Sequence, residues 1–247
     1  MPIDLARATR VAWALASIVV VESLVFGLSV LPAFLFWSWM LSWASPPWRL
    51  LHVVMVAVSL APSYVVFSLA LIVLSASSTA LFGWRTRPDG TWGLGDLEWP
   101  LLDWSRYMIS THVVRVLVGT FFRSSPIWTW YMKLNGAQVG GGVYINSLSI
   151  SDHNMLEFDD GVVIGENVHL SGHTVERGVV KTGRVRLGRG VTVGVGSMIG
   201  IGVEAGEGCQ IGALSVVPKY TRLEAGAIYA GVPVRKIEKA VPSPVEI

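Results

Sequence analysis

Charged residues and cysteines are scarce in this chain. Only 15% of its 247 residues are charged, and the formal net charge is +2 at pH 7. Cys209 is the only cysteine, which excludes an intrachain disulfide and predicts a small wall or core residue at that position. The sequence also has no basic run of the kind that binds nucleic acid. A mean hydropathy of +0.54 is too apolar for a soluble protein of this size and therefore indicates a membrane protein.

The apolar excess lies in the first third of the chain. Residues 11–39 are uncharged except for Glu22, and residues 50–82 contain no acid or base except His52. Each stretch exceeds the roughly 20 residues that cross a bilayer, and each is too long for the apolar core of a signal peptide. The sequence therefore predicts a hairpin of two transmembrane helices, with residues 1–99 as the membrane anchor and its linker.

Arginines indicate how this hairpin is oriented. Arg7 and Arg10 precede the first helix, Arg85 and Arg87 follow the second, and the connecting loop offers only Arg49. By the positive-inside rule, both ends of the hairpin face the cytoplasm. We expect an integral protein of a bacterial inner membrane, with the domain that follows the hairpin on the cytoplasmic side.

Residues 100–138 predict an amphipathic helix at the membrane interface. Apolar side chains recur there near helical spacing, but basic residues interrupt them, which argues against a third transmembrane helix. Trp128, Trp130 and Tyr131 are of the aromatic type that settles at the depth of the lipid headgroups.

A six-residue repeat occupies the second half of the chain. Its aliphatic positions, most of them followed by Gly, are Leu187, Val193, Ile199, Ala205, Ile211 and Val217. Such a repeat is typical of a parallel β-helix, in which each hexad forms one short strand and one corner. The same frame reaches back through residue 158 and, after a slip of one residue, to residue 139. Residues 139–222 thus predict roughly four coils, followed by a C-terminal tail of residues 223–247.

The frame is interrupted between Leu170 and Leu187, which predicts a loop that begins at His173. Four motifs occur in order around it: Gly172-His173-Thr174, then residues 185–188, 211–219 and 230–237. Together they resemble the hexapeptide-repeat acyltransferases. The resemblance implies a left-handed parallel β-helix, a homotrimer and acetyl-CoA, or another acyl-CoA, as co-substrate.

Residues 123–140, together with Ala213-Leu214-Ser215, carry a second resemblance. They are similar to the membrane-embedded carboxy-terminal modules of nonribosomal peptide synthetases of the poly-lysine-synthetase type. This resemblance implies a separate carrier or adenylation protein as a candidate partner.

Acyl transfer to a hydroxyl or an amine needs a base that removes the proton of the acceptor and hydrogen-bond donors that stabilise the tetrahedral oxyanion. His173 is the predicted base, because it matches the histidine that the hexapeptide-repeat family places at the mouth of the same loop. Glu176 is predicted as a second catalytic residue, since a carboxylate can orient an imidazole. A solvated loop acid is the alternative interpretation of Glu176.

The resemblance also implies a binding site for the acyl carrier. Carried over residue by residue, it comprises Ala213, Ser215 and Lys219, with Arg235 as a second basic candidate. Solvated cations near lipid headgroups are the alternative for Lys219 and Arg235. Many family members have Gly where Leu214 stands, so the arm of a carrier protein is the alternative donor to CoA.

Asp152, His153 and Asn154 form a polar cluster at a place where related enzymes bind the acceptor; a turn rich in Asx and Ser is the alternative. Three histidines could also bind zinc. However, His169 and His173 stand four residues apart, whereas the close pair of the β-helix carbonic anhydrases stands five apart. We therefore predict no metal.

Three functions are compatible with these features. The favoured one is a membrane-bound acyltransferase that acylates a hydroxyl or amine of a membrane lipid or lipid-linked acceptor. The second is an amide-forming module that works with a separate adenylation or carrier protein. The third is a non-catalytic trimeric membrane scaffold.

Overall fold

The structure is a computed structural model that describes residues 5–42 and 48–238. It divides into two compact units: residues 1–85 with 97–120, and residues 86–96 with 121–247. The last nine residues of the predicted tail, 239–247, lie outside the described residues.

The first unit is helical. It contains α1 (Leu5–Ser42), α2 (Arg49–Leu81) and α3 (Trp99–Val114), which continues into a π-helical turn, Arg115–Gly119. By length and composition, α1 and α2 are each able to cross a membrane. Many of their apolar side chains are exposed, as Leu24 (58%) and Val58 (65%) show. The helices therefore present apolar surface outward as well as toward each other.

Polar contacts join these helices on the inside. Trp37 Nε1 donates to Ser59 Oγ at 2.9 Å, and the hydroxyls of Ser75 and Ser110 lie 3.1 Å apart. Ser110 also donates a hydrogen bond to the Glu22 carboxylate. The acidic residue of the first apolar stretch thus faces protein, as expected for an ionisable group in an apolar helix.

The segment predicted as one interfacial helix is divided in the structure. After α3 and a short α4 (Thr120–Phe122), a separate helix α5 (Pro126–Leu134) belongs to the second unit and begins at a proline, which is favoured at the first helical position. Trp128 and Tyr131, predicted to settle at the depth of the lipid headgroups, are 1% and 0% exposed and so contact protein rather than lipid. Their rings lie in the core of the second unit, because burial of a large aromatic ring removes much apolar surface from water.

The second unit contains short parallel strands stacked in three sheets. One sheet consists of β2 (Gln138–Val139), β4 (Leu156–Phe158), β9 (Val185–Leu187), β12 (Glu204–Ala205) and β15 (Arg222–Leu223). The next consists of β3 (Tyr144–Ile145), β5 (Val163–Ile164), β10 (Thr192–Val193), β13 (Gln210–Ile211) and β16 (Ile228–Ala230), with β17 (Arg235–Ile237) antiparallel at its edge. The third consists of β6 (His169–Leu170), β11 (Met198–Ile199) and β14 (Val216–Val217).

The predicted hexad frame agrees with this architecture. Leu170, Ile199 and Val217 stack in register across three coils, and each is at most 1% exposed. Side chains that alternate with them along each strand point outward. The coils extend beyond the predicted end at residue 222, because Leu223 and Tyr229 keep the same inward frame.

The interruption of the frame is an ordered hairpin rather than an irregular loop. Strands β7 (His173–Glu176) and β8 (Val179–Thr182) pair antiparallel, and β1 (Thr91–Gly93) adds a third strand beside β8. Arg177 and Gly178 form the two-residue turn, with φ values of 49° and 77°. Left-handed conformations at both turn residues match the right-handed twist of hairpin strands.

Candidate active site

His173 and Asp152 form the centre of the candidate site. His173 begins β7, where the chain leaves the coils, and Asp152 precedes the 3₁₀ turn His153–Met155 of the coil below. His173 Nδ1 lies 2.5 Å from Asp152 Oδ2; the Asp152 side chain is fully buried and that of His173 is 18% exposed. Asp152 adopts a left-handed φ of 54°, which Asp tolerates better than most residues. This backbone turn directs a buried carboxylate toward the imidazole.

Hydroxyl groups complete the surroundings of the Asp152 carboxylate. Thr86 Oγ1 donates to Oδ1 at 2.6 Å, while Ser151 and Ser171 lie 3.2 and 3.1 Å from Oδ2. Burial raises the pKa of Asp152, but hydrogen bonds from His173, its positive charge, and the hydroxyls of Thr86 and Ser171 outweigh it. The net pKa is lower than the ordinary value of 3.8. Asp152 is therefore an anion at neutral pH and holds the proton of the imidazole on Nδ1.

A groove of about 190 Å³ runs past His173 along the outer face of the third sheet. Its floor contains His169, Met198 and Val216, which align across three coils. The other lining residues are Ser171, His173, Thr174, Ile199, Gly200, Ile201, Val217, Pro218 and Lys219. The groove thus brings together the predicted base and one of the predicted carrier-binding residues.

Glu176 does not lie beside His173, which corrects the expected pairing. Its carboxylate forms ion pairs with Lys219 and with Lys181, the latter at 3.0 Å. Hydrogen bonds from Lys219 and Lys181 lower the pKa of Glu176 to about 2. Residues 173 and 176 are an odd number of positions apart in one strand, so their side chains project to opposite sides. The carboxylate that contacts the imidazole comes from Asp152 instead.

Two members of the predicted acceptor-binding cluster are buried, which corrects that expectation. Asp152 and His153 are 1% and 2% exposed. The His153 ring packs edge-on against Trp128 and Tyr131, at centroid distances of 6.5 and 5.7 Å. Asn154 Nδ2 donates to the Thr86 carbonyl at 2.7 Å. The cluster is therefore a largely buried polar turn.

Sequence reasoning did not identify Asp152 as the partner of His173. The one-residue slip in the hexad frame gives an offset of 19 residues between these coils and would place residue 151 beside residue 170. In the structure a parallel bridge joins Ile150 and Leu170 instead, an offset of 20 residues. Two residues further along both coils, Asp152 and Gly172 come together beside His173.

The predicted carrier-binding residues lie in different surroundings. Lys219 lines the groove, whereas Ala213, Ser215 and Arg235 are not among its lining residues. Ser215 is fully buried. Its N–H donates to Ser197 Oγ at 3.2 Å, and its carbonyl accepts from the Met198 N–H at 2.8 Å. Its main-chain N–H and C=O groups therefore hold the coil together.

Ala213 is exposed at a corner, and Arg235 is exposed on β17 at the end of the coils. As for metals, no group of three or more His, Cys, Asp or Glu that could hold an ion occurs within residues 5–42 and 48–238.

The proteins that this chain resembles are acetyltransferases and a synthetase of a poly-amino acid. The chain is 27% identical over 147 residues to a delta-poly-L-ornithine synthetase of Acinetobacter baumannii (strain AB307-0294). This match covers 59% of the present chain. It spans about 11% of the length of that synthetase. No family model matches.

Among solved structures, the chain is similar to a galactoside acetyltransferase in complex with coenzyme A. The identity is 23%, the match covers 54% of this chain and 80% of that chain, and the TM-score is 0.39. It is also similar to a maltose O-acetyltransferase from Clostridium difficile 630, with 17% identity, 54% and 86% coverage and a TM-score of 0.39. The second resemblance stated from the sequence, to a synthetase of a poly-amino acid, is found again in the first of these comparisons.

Proposed function

We propose that this protein is a membrane-bound acyltransferase that transfers an acyl group, in particular acetyl, from a CoA-type thioester to a hydroxyl or amine. The acceptor is membrane-held or lipid-linked. The single observation that carries this proposal is the His173–Asp152 pair beside a groove that also contains Lys219.

The geometry supports general base catalysis by His173. Because Nδ1 is held by Asp152, Nε2 is the nitrogen that takes the proton from the acceptor's hydroxyl or amine. The acceptor atom then attacks the thioester carbonyl and forms a tetrahedral oxyanion. Collapse of this intermediate breaks the carbon–sulfur bond, and the imidazolium returns its proton to the thiolate. Throughout, Asp152 stabilises the imidazolium and keeps its ring oriented.

Lys219 is the residue proposed to bind the phosphates of the donor, as the motif resemblance implies. In the structure its ammonium is paired with Glu176. Both side chains are more than one third exposed, so the pair is weak and an incoming phosphate can displace the carboxylate. Arg235 is proposed as a second basic contact, as in the motif resemblance.

The assembly and location are proposed on the same basis. The β-helix is left-handed and trimeric, as in the family that the motifs resemble, and His173 lies at the mouth between adjacent subunits. Helices α1 and α2 anchor each subunit in the inner membrane, because their lengths and exposed apolar side chains suit a lipid environment. Flanking arginines support a cytoplasmic location of the β-helix, where CoA thioesters are made.

The similarity to delta-poly-L-ornithine synthetase favours a second candidate function. In that case the chain forms amide bonds on amino acids or peptides and receives them from a separate adenylation or carrier protein. The same pair of residues serves this chemistry, since an amine acceptor must also lose a proton. The third candidate, a trimeric scaffold without catalysis, needs no function of His173.

One experiment tests transfer from acetyl-CoA and distinguishes the two types of acceptor. The full chain, purified in mild detergent, is incubated with radiolabelled acetyl-CoA and a membrane extract, and the labelled product is identified. An ester that mild alkali cleaves indicates a hydroxyl acceptor, whereas an alkali-resistant product indicates an amine. Absence of any label above that of the His173→Ala variant contradicts transfer from acetyl-CoA and leaves the amide-forming module and the scaffold.

A further inference from the structure

Thr86 makes a short hydrogen bond to the Asp152 carboxylate oxygen that does not contact His173. Its hydroxyl donates to Oδ1 at 2.6 Å, whereas the imidazole contacts Oδ2. Thr86 and Asp152 are each 1% exposed. In such surroundings a hydrogen bond to an anion fixes the carboxylate's rotation more strongly than the same bond would in water.

The backbone around Thr86 is held in place from both sides. The Thr86 carbonyl accepts from Asn154 Nδ2 at 2.7 Å, and the Arg87 carbonyl accepts from the Thr182 hydroxyl at 2.7 Å. Gly90 N–H donates back to Thr182 Oγ1 at 2.9 Å. Strand β1 then pairs with β8 over residues 91–93. Residues 86–96 are thus an ordered part of the second unit.

Thr86 is the first residue of that unit and follows the end of α2, at Leu81, by a few residues. From this position and these contacts we propose that Thr86 is a positioning residue for the His173 base, acting through the Asp152 carboxylate. The inference rests on the proposed function. If Thr86 has this role, the segment directly after the second apolar helix contributes a side chain to the active site in addition to its role as a linker.

Substitution of Thr86 by Val removes the hydroxyl while keeping the side chain's shape, and substitution by Ser keeps the hydroxyl. We expect Thr86→Val to lower kcat for CoA release from acetyl-CoA, with the membrane extract as acceptor, by about 10- to 100-fold, the range expected for a lost hydrogen bond to a charged group. The KM for acetyl-CoA should stay unchanged. Thr86→Ser should retain most of the activity. If Thr86→Val does not fold, Thr86→Ala applies the same test with a smaller side chain.

Thr182→Val is the matched control. Thr182 is also buried, at 3% exposure, and its hydroxyl ties the same segment to the hairpin through Gly90 and the Arg87 carbonyl rather than through the Asp152 carboxylate. If Thr182→Val lowers kcat as far as Thr86→Val, the segment acts only as a general anchor and the inference is wrong.

A spectroscopic readout tests the contact without turnover. In full-length protein labelled with ¹⁵N-histidine in detergent micelles, a proton shared between Nδ1 of His173 and Asp152 gives a strongly downfield signal, assigned by its loss in His173→Gln. We expect Thr86→Val to shift or abolish this signal and Thr86→Ser to keep it. An unchanged signal together with wild-type kcat in Thr86→Val overturns the inference, even when His173→Ala is inactive. Full activity of His173→Ala would instead overturn the proposed function.

Discussion

Gly172 packs so closely against Asp152 that a Cβ atom at position 172 would come within 2.9 Å of the Asp152 Cβ. The same atom would come within 2.5 Å of the Met155 Cβ. Both contacts are with Cβ atoms, whose positions are fixed by the main chain, so rotation of a side chain cannot relieve them. The absence of a side chain at Gly172 thus allows two neighbouring coils to bring Asp152 and His173 together.

Replacement of Gly172 by Ala should therefore displace Asp152 from His173. A misplacement of about 1 Å at a catalytic group costs on the order of 10²-fold in rate, so we expect a loss of that size in kcat. Gly95→Ala is the matched control, because a Cβ there meets nothing within 4 Å. Equal kcat values for Gly172→Ala and Gly95→Ala would show that the close approach is unimportant.

The lowered pKa of Asp152 predicts how stability depends on pH. A carboxyl group with a folded-state pKa below its unfolded value stabilises the protein above the unfolded value, and this stabilisation is lost as pH falls through the folded value. Thermal unfolding of the wild type should therefore occur at lower temperature as pH is reduced below about 4, starting near the ordinary value of 3.8. Asp152→Asn should show a smaller drop over the same range. Parallel curves for both proteins would contradict the prediction.

Lys219 and Glu176 should affect donor binding in opposite directions. Lys219→Ala should raise the KM for acetyl-CoA with little change in kcat, as expected for a lost binding contact. Glu176→Gln should lower this KM, because the neutral amide no longer competes for the Lys219 ammonium. Steady-state kinetics with varied acetyl-CoA measure both effects.

Lys181→Ala provides the control for this pair, since Lys181 binds Glu176 but does not line the groove. Its KM should change less than that of Lys219→Ala. If Lys219→Ala leaves the KM unchanged at limiting acetyl-CoA, the donor binds elsewhere or is not CoA.

The proposed trimer predicts a definite mass in mild detergent. Short coils expose flat sheet faces, and three copies around an axis bury them and form three clefts. Native mass spectrometry of the full chain should show three copies, also for His173→Ala and Lys219→Ala. A stable and active monomer would contradict the proposed assembly.

The β-helix could be predicted from sequence because each inward side chain repeats in phase with its neighbours. The last coil was missed because Leu223 and Tyr229 continue the frame without the glycine that directly follows most of the earlier aliphatic positions. The hairpin after His173 was missed because its strands follow a two-residue period that the hexad pattern does not contain. Both differences arise from local changes of period along an otherwise regular chain.

The candidate site was harder to predict, because it depends on how residues stack rather than on how they follow each other. Glu176 was close to His173 in sequence, yet the strand between them turns its side chain away. Asp152 was assigned to the acceptor, although stacking of adjacent coils places it on the imidazole. Thr86 carried no sequence signal, because only the pairing of β1 with the hairpin brings that segment to the site.

The central claim, that His173 is the general base of an acyl transfer, is tested most directly by the rate of CoA release. Wild type and His173→Ala are compared at saturating acetyl-CoA with the membrane extract as acceptor. Loss of a general base typically costs ~10²- to 10⁴-fold, so we expect a drop of that size in a variant that keeps the wild-type circular dichroism spectrum, since His173 lies outside the stacked interior. An unchanged rate of CoA release by folded His173→Ala would contradict the account.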